Sequence, residues 1–153
     1  MPDRNPQEQF DAVESLLTRW LKERRELLGK YTEIAVGMDG LLDNEALDLR
    51  QRGLCQQLVD YVSTGHFEVY LELFQEAESF ADGSNAVAEA LMPAIGDTTE
   101  VILAYEEKYT AQDSDKAKLK RDLSSLGEVL ESRFLLEDKL IAGLHNSHRR
   151  QQS

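Results

Sequence analysis

Apolar side chains recur along this chain at steps of three and four, and that period dictates what it can fold into. Phe10, Val13, Leu17, Trp20, Leu27, Tyr31 and Ile34 fall on one stripe of a helix. Leu47, Leu54, Leu58, Tyr61 and Val62 make a second stripe, and Phe67, Tyr70, Leu71 and Phe74 a shorter third. Val87, Leu91, Ile95, Thr98, Ile102, Tyr105 and Tyr109 make a fourth, and Leu119, Leu123, Leu126, Leu130, Phe134, Ile141 and Leu144 a fifth. No segment alternates with the period of two that a half-buried strand requires. The stripes predict an all-α fold, an antiparallel helical bundle of four long helices plus one short one.

Punctuation between the stripes sets the expected boundaries. Asn5-Pro6-Gln7-Glu8 reads as an N-cap, a first-turn proline and the acid of a capping box, so the first helix starts there and runs to about Val36. Gly37-Met38-Asp39-Gly40 ends it, and Asp43 or Asn44 caps the second. Gly65 is expected to interrupt the chain and set off the short third helix, which the Asp82-Gly83-Ser84-Asn85 turn closes. A fourth helix spans about Asn85 to Thr110, with a kink or break at Pro93, and Ser114-Asp115 starts the last. At 153 residues one core is expected, hence a single domain over 1–153, with a frayed polar tail over about 145–153.

Two polar residues intrude on the stripes, Arg24 in the first helix and Glu137 in the last. They either face each other inside the bundle, shaping a groove, or lie on exposed helix edges. Trp20 is assigned to the core. Phe67 and Tyr70 stand equally as core or contact surface, because they flank the expected break at Gly65.

Charge narrows the partners. The formal net charge is −12, which repels nucleic acid and anionic membranes and favours a basic partner. No Lys or Arg occurs between Arg52 and Lys108, whereas Asp60, Glu68, Glu72, Glu76, Glu78, Asp82, Glu89, Asp97, Glu100, Glu106 and Glu107 do. No apolar run approaches the roughly 18 to 20 residues of a membrane span, and the N-terminus lacks a signal-peptide pattern, so a cytoplasmic location is expected. The only cysteine, Cys55, excludes an internal disulfide and is read as a buried small hydrophobe.

Catalytic and metal chemistry find no constellation. A ferritin-like site needs Glu-x-x-His, but Ser63, Ala142 and His145 stand three before His66, His145 and His148. His145 and His148 are assigned to the solvated tail rather than to a metal. There is no glycine-rich phosphate loop and no Gly-x-Ser-x-Gly, and the residues after His66 are too acidic to receive a phosphoryl group. No enzyme activity, cofactor or metal is expected.

The segment Leu58-Val59-Asp60-Tyr61-Val62-Ser63-Thr64-Gly65-His66-Phe67-Glu68-Val69-Tyr70 is the most informative in the chain. It resembles the Leu-Val-Asp-Tyr-x-Ser-x-Gly-His-Phe-x-x-Tyr motif of the Rsd/AlgQ anti-sigma family, with Cys55 just upstream. Arg19-Trp20-Leu21, Arg24 and Leu27-Leu28 resemble that family's first helix. Gly127-Glu128, Glu131, Arg133-Phe134 and Leu136-Glu137-Asp138-Lys139-Leu140-Ile141 resemble its last. The resemblance implies a helical bundle that grips the C-terminal DNA-binding region of the primary sigma factor and blocks it from RNA polymerase core and the −35 promoter element.

The expected contact patch is Asp60, Ser63, His66, Phe67, Glu68 and Tyr70, with Arg24, Glu137 and Asp138 as secondary members. Two rival readings stand beside this one: an adaptor for phosphotransfer or stringent-response proteins, and a metal-binding bundle.

Overall fold

The computed structural model describes residues 4–38, 43–110 and 116–149. The described chain is all-α, with no strand among these residues. Helix α1 (Pro6–Gly37) opens on the expected capping box: Asn5 Oδ1 accepts from the Glu8 N–H at 2.8 Å, and Glu8 Oε1 accepts from the Asn5 N–H at 3.4 Å. Helix α2 (Asn44–Thr64) is capped by Asp43, whose carboxylate accepts from the Ala46 N–H at 2.8 Å. Helix α3 (Tyr70–Phe80) ends at Ala81, which takes up a left-handed conformation with φ 50°. Helix α4 spans Asn85–Thr110 and α5 spans Lys116–Ile141. A single turn, α6 (Ser147–Arg149), follows. Asp39-Gly40 and Ser114-Asp115, the expected turn and cap, lie outside the described residues.

The structure corrects the expectation at Gly65. The chain does not break there: Gly65–Val69 form a π-helical turn in which the Tyr70 N–H donates to the Gly65 carbonyl, so α2 and α3 are one continuous rod. Gly65 has φ −58° and ψ −52°, ordinary helical values that any residue adopts. Its missing side chain serves packing instead, since a Cβ there would lie 3.1 Å from Trp20 Cζ2 and 3.5 Å from the Tyr70 ring. Helix α4 likewise continues through Pro93 without a break.

The expected tail is also corrected, for residues 145–149. A second π-helical turn, Ala142–Asn146, carries α5 onward into α6, and His145 and His148 are fully buried. The reason is partnership: each imidazole stacks on an aromatic ring and meets carboxylates on both nitrogens, described below.

Helix α1 lies along the α2–α3 rod in the opposite direction, as its contacts show: Arg4 with Glu72, Trp20 with Tyr61, and Glu33 with Arg50. Helix α4 runs opposite to α5 in the same way, with Arg133 reaching Ile95 and Asp122 reaching Lys108. The striped residues fill the space between them. Trp20 (1 % exposed), Leu54, Leu58, Tyr61, Ile102, Leu126 and Leu130 are buried in one apolar cluster.

Candidate functional site

The middle of the core is polar. Glu137, fully buried, receives four donors: Arg24 Nη2 at 3.2 Å and Tyr61 Oη at 2.6 Å on Oε1, and Tyr70 Oη at 2.6 Å and Arg133 Nε at 3.1 Å on Oε2. Arg133 is buried as completely, and its remaining nitrogens donate to Tyr70 Oη, Thr98 Oγ1, Thr99 Oγ1 and the Ile95 carbonyl. Arg24 bridges outward, donating to Tyr61 Oη at 3.1 Å and to the exposed carboxylate of Asp138 at 2.7 Å. Its guanidinium also lies over the Phe134 ring, 4.7 Å from the centroid. A buried charge is tolerable only when paired and fully hydrogen-bonded, and this lattice meets that condition by drawing one member or more from α1, α2, α3, α4 and α5.

Electrostatics keep both phenols protonated. Burial raises the hydroxyl pKa values of Tyr61 and Tyr70 well above the usual tyrosine range, the Glu137 charge adds to the rise, and Arg24 and Arg133 oppose it. The Arg24 guanidinium stays charged, since the Tyr61 and Asp138 contacts overcome the burial that would lower its pKa.

Arg24 and Glu137 therefore do face each other, as one of the two sequence readings had it. Tyr70 is corrected: at 2 % exposed it belongs to the core lattice and offers nothing to a surface. Arg133 has no role in the sequence analysis beyond the family resemblance, although it is fully buried on α5. Its four-residue spacing from Glu137 is the one signal that was available.

Above the lattice lies a surface made by the α2–α3 rod and α1. Asp60, His66, Phe67 and Glu68 are exposed, and Ser63 is half-buried. Phe67 is 69 % exposed and Leu71, one turn on, 50 %, which is a large apolar area to leave in water. Both line an open groove of about 480 Å³ with Leu16, Arg19, Glu68 and Glu72. Phe67 stands edge-on to the His66 ring at 4.9 Å, and Asp60 is hydrogen-bonded to Gln56 at 2.9 Å. Asp60 and Phe67 are thus neighbours on one exposed rod without being a contact pair.

A further acid belongs here that the sequence reading missed. Burial raises the Glu23 carboxyl pKa, and the charges of Glu26, Asp60 and Glu68 add to the rise. Its Oε2 is buried with no hydrogen-bond partner among the described residues. Three acids from two elements thus converge on one side chain, a field that favours an incoming cation.

Cys55 is buried, and burial pushes its thiol up to about 11, so it is a packed hydrophobe and not a nucleophile. Among the described residues no group of three or more His, Cys, Asp or Glu side chains is arranged to hold a metal ion, and no helix is long and apolar enough to cross a membrane.

Comparison with known proteins finds matches along most of the chain. The family described as regulator of RNA polymerase sigma(70) subunit, Rsd/AlgQ, matches residues 3–145. The "Regulator of sigma D" of Pectobacterium carotovorum subsp. carotovorum is 38 % identical over 136 residues, covering 83 % of this chain and 86 % of that one. The protein of the same name from Pectobacterium atrosepticum is 36 % identical over 142 residues, covering 87 % and 90 %, and that from Yersinia enterocolitica is 34 % identical over 134 residues, covering 82 % and 78 %. No solved structure matches the chain. With a family match across nearly its whole length and relatives above one-third identity, the chain belongs to the Rsd/AlgQ family of regulators of the RNA polymerase sigma(70) subunit.

Proposed function

We propose that this protein is an anti-sigma factor that binds the C-terminal DNA-binding region of the primary sigma factor and holds it away from RNA polymerase core and the −35 promoter element. It does so in the cytoplasm as a single antiparallel helical domain, by stoichiometric binding without catalysis, cofactor or metal. The observation that carries the reading is the exposed surface of the α2–α3 rod, where Phe67 and Leu71 stand bare beside Asp60, Glu68 and the Glu23 acid cluster. A sigma region that holds DNA phosphates is basic, so its competitor must present acids, with an apolar anchor for affinity. Asp60, Ser63, His66, Phe67 and Glu68 form the contact patch. Asp138 is a secondary contact at the rim, and Arg24, Tyr70 and Glu137 act from inside by fixing the rod that carries the patch.

Asp60→Ala tests it. Asp60 is exposed and among the described residues bonds only to Gln56 on its own helix, so its loss leaves the core untouched. A carboxylate paired with a basic residue in a partly dry interface costs about 2 to 5 kcal/mol when truncated, and a solvated one close to nothing. Calorimetric titration with the isolated sigma C-terminal region should show binding weakened by at least about tenfold, with the unfolding midpoint held within a few degrees. Parental affinity in Asp60→Ala would place the interface elsewhere.

A further inference from the structure

Residues 142–149 are fastened to the bundle by a charge arrangement that the regulatory reading does not use. His145 Nδ1 lies 2.6 Å from Glu76 Oε1, and its Nε2 lies 2.8 Å from Glu14 Oε1. His148 Nδ1 lies 2.5 Å from the other oxygen of Glu76, and its Nε2 lies 3.0 Å from Asp82 Oδ2 and 3.3 Å from Ser84 Oγ. Both imidazoles and the Glu76 carboxylate are fully buried. The rings are clamped flat, His145 against Phe10 and His148 against Phe80, each with centroids 4.1 Å apart.

The chemistry of these contacts is restrictive. An ionised carboxylate only accepts hydrogen bonds, and a neutral imidazole donates from one nitrogen alone. All four ring nitrogens face carboxylate oxygens, so all four contacts are satisfied only when both rings are imidazolium. Moving a proton onto Glu76 would satisfy just one of its two imidazole contacts and leave the other ring no better off.

We propose that Ala142–Arg149 is a proton-dependent latch, closed on α1 and α3 while His145 and His148 each carry two ring protons and released as those protons are lost to solvent. The groups facing the latch are named from each element packed on it. From α1 come Glu14 and Phe10, from α3 Glu76 and Phe80, and from the α3–α4 turn Asp82 and Ser84. From the latch itself comes Arg149, which holds both oxygens of Glu14 at 2.9 and 3.0 Å. Helix α4 contributes Val87, an apolar contact against Gly143. Among the described residues three carboxylates thus meet three cations in the closed state, and deprotonating the rings leaves the buried Glu76 carboxylate without a facing cation.

The titration behaviour agrees in sign. Burial draws the His145 pKa down, but the contacts with Glu76 and Glu14 outweigh it and the net displacement is upward from 6.5. A group with a raised folded value stabilises fully below its unfolded value, and that stability is lost as pH climbs through the folded value. Glu14 is drawn down to about 2 by Arg149 and His145, so its share is present above about 4.5 and lost as pH falls below that toward 2. The latch therefore loosens both as pH rises through the raised His145 value and as it falls below about 4.5.

Nitrogen-15 imidazole spectra and amide hydrogen exchange on the full chain test this. Near pH 6 both buried rings should show two protonated nitrogens. Between about pH 6 and pH 9, protection of the amides of 142–149, corrected for intrinsic exchange, should fall by about tenfold or more, while the paired segments of α4 and α5 change less than about twofold. Singly protonated rings at pH 6, or protection independent of pH, would overturn the proposal. Gly143→Ala supplies a second reading, because its Cβ would sit 2.7 Å from Val87 Cγ1. That variant should show weak protection of the segment at every pH, and parental protection would equally overturn the latch.

Discussion

Glu137 shows how one side chain can decide the behaviour of many. Its four donors come from Arg24 on α1, Tyr61 on α2, Tyr70 on α3 and Arg133 on α5. Replacing it with alanine leaves the buried Arg133 guanidinium without its counter-charge and Arg24 with Asp138 alone, and breaking a buried pair by removing one partner costs about 3 to 5 kcal/mol. Glu137→Ala should lower the chemical-denaturation stability by that amount. Tyr70→Phe removes only the hydroxyl shared by Glu137 and Arg133 and should cost about 1 to 3 kcal/mol. A smaller loss for Glu137→Ala than for Tyr70→Phe would show that the lattice is not centred on the carboxylate. The Arg24–Glu137 meeting was legible because both residues interrupt apolar stripes. Arg133 and Glu76 were not: apart from the four-residue spacing of Arg133 from Glu137, their partners are far away in the chain, 35 residues for Thr98 and 69 for His145.

At the scale of elements, the stripes, the Asn5 cap and the Asp43 cap were readable, since each rests on local chemistry within a turn or two. The continuity of α2 and α3 was not. Glycine ordinarily marks a break because it tolerates conformations other residues avoid, yet Gly65 sits in plain helical geometry to admit the Trp20 ring, which stacks on Tyr61 at 4.9 Å. The same cause makes Phe67 a surface residue: within an unbroken rod it falls between Gly65 and Val69, both of which point inward. This distinction predicts opposite outcomes for two glycines. Gly29→Ala, in α1 with nothing within 4 Å of the added Cβ, should stabilise by about 0.5 to 1 kcal/mol from helix propensity alone. Gly65→Ala gains the same propensity but must displace the indole at 3.1 Å, and overpacking of about 1 to 3 kcal/mol outweighs it. The net result should be a lower unfolding midpoint with altered Trp20 fluorescence. A Gly65→Ala variant as stable as Gly29→Ala would mean that the ring approach does not constrain this position.

For the molecule as a whole, the decisive property is where its charge is left unspent. Part of the base-free stretch is engaged internally: Glu72 pairs with Arg4, and Glu76 contacts both buried histidines. Asp60 and Glu68 are exposed on the face that also bares Phe67, so part of the net charge of −12 reaches solvent beside an apolar anchor there. If the sigma C-terminal region docks on that face, its approach is steered by a field that decays over about 8 to 10 Å at physiological salt. Raising the salt from about 0.05 M to 0.5 M should then weaken binding by about tenfold or more, chiefly through a slower association rate. Asp60→Ala and a Glu68→Gln variant should flatten that dependence, because each removes part of the attracting field. Phe67→Ala should weaken binding at every salt concentration with the slope unchanged, since an apolar anchor acts only after contact. At 69 % exposure Phe67 contributes little to the core, so its truncation should leave the unfolding midpoint close to the parent's. Association kinetics across a salt series, with unfolding measured on the same samples, separate these effects. An association rate indifferent to salt, or a Phe67→Ala variant that binds like the parent, would remove this face from the interface.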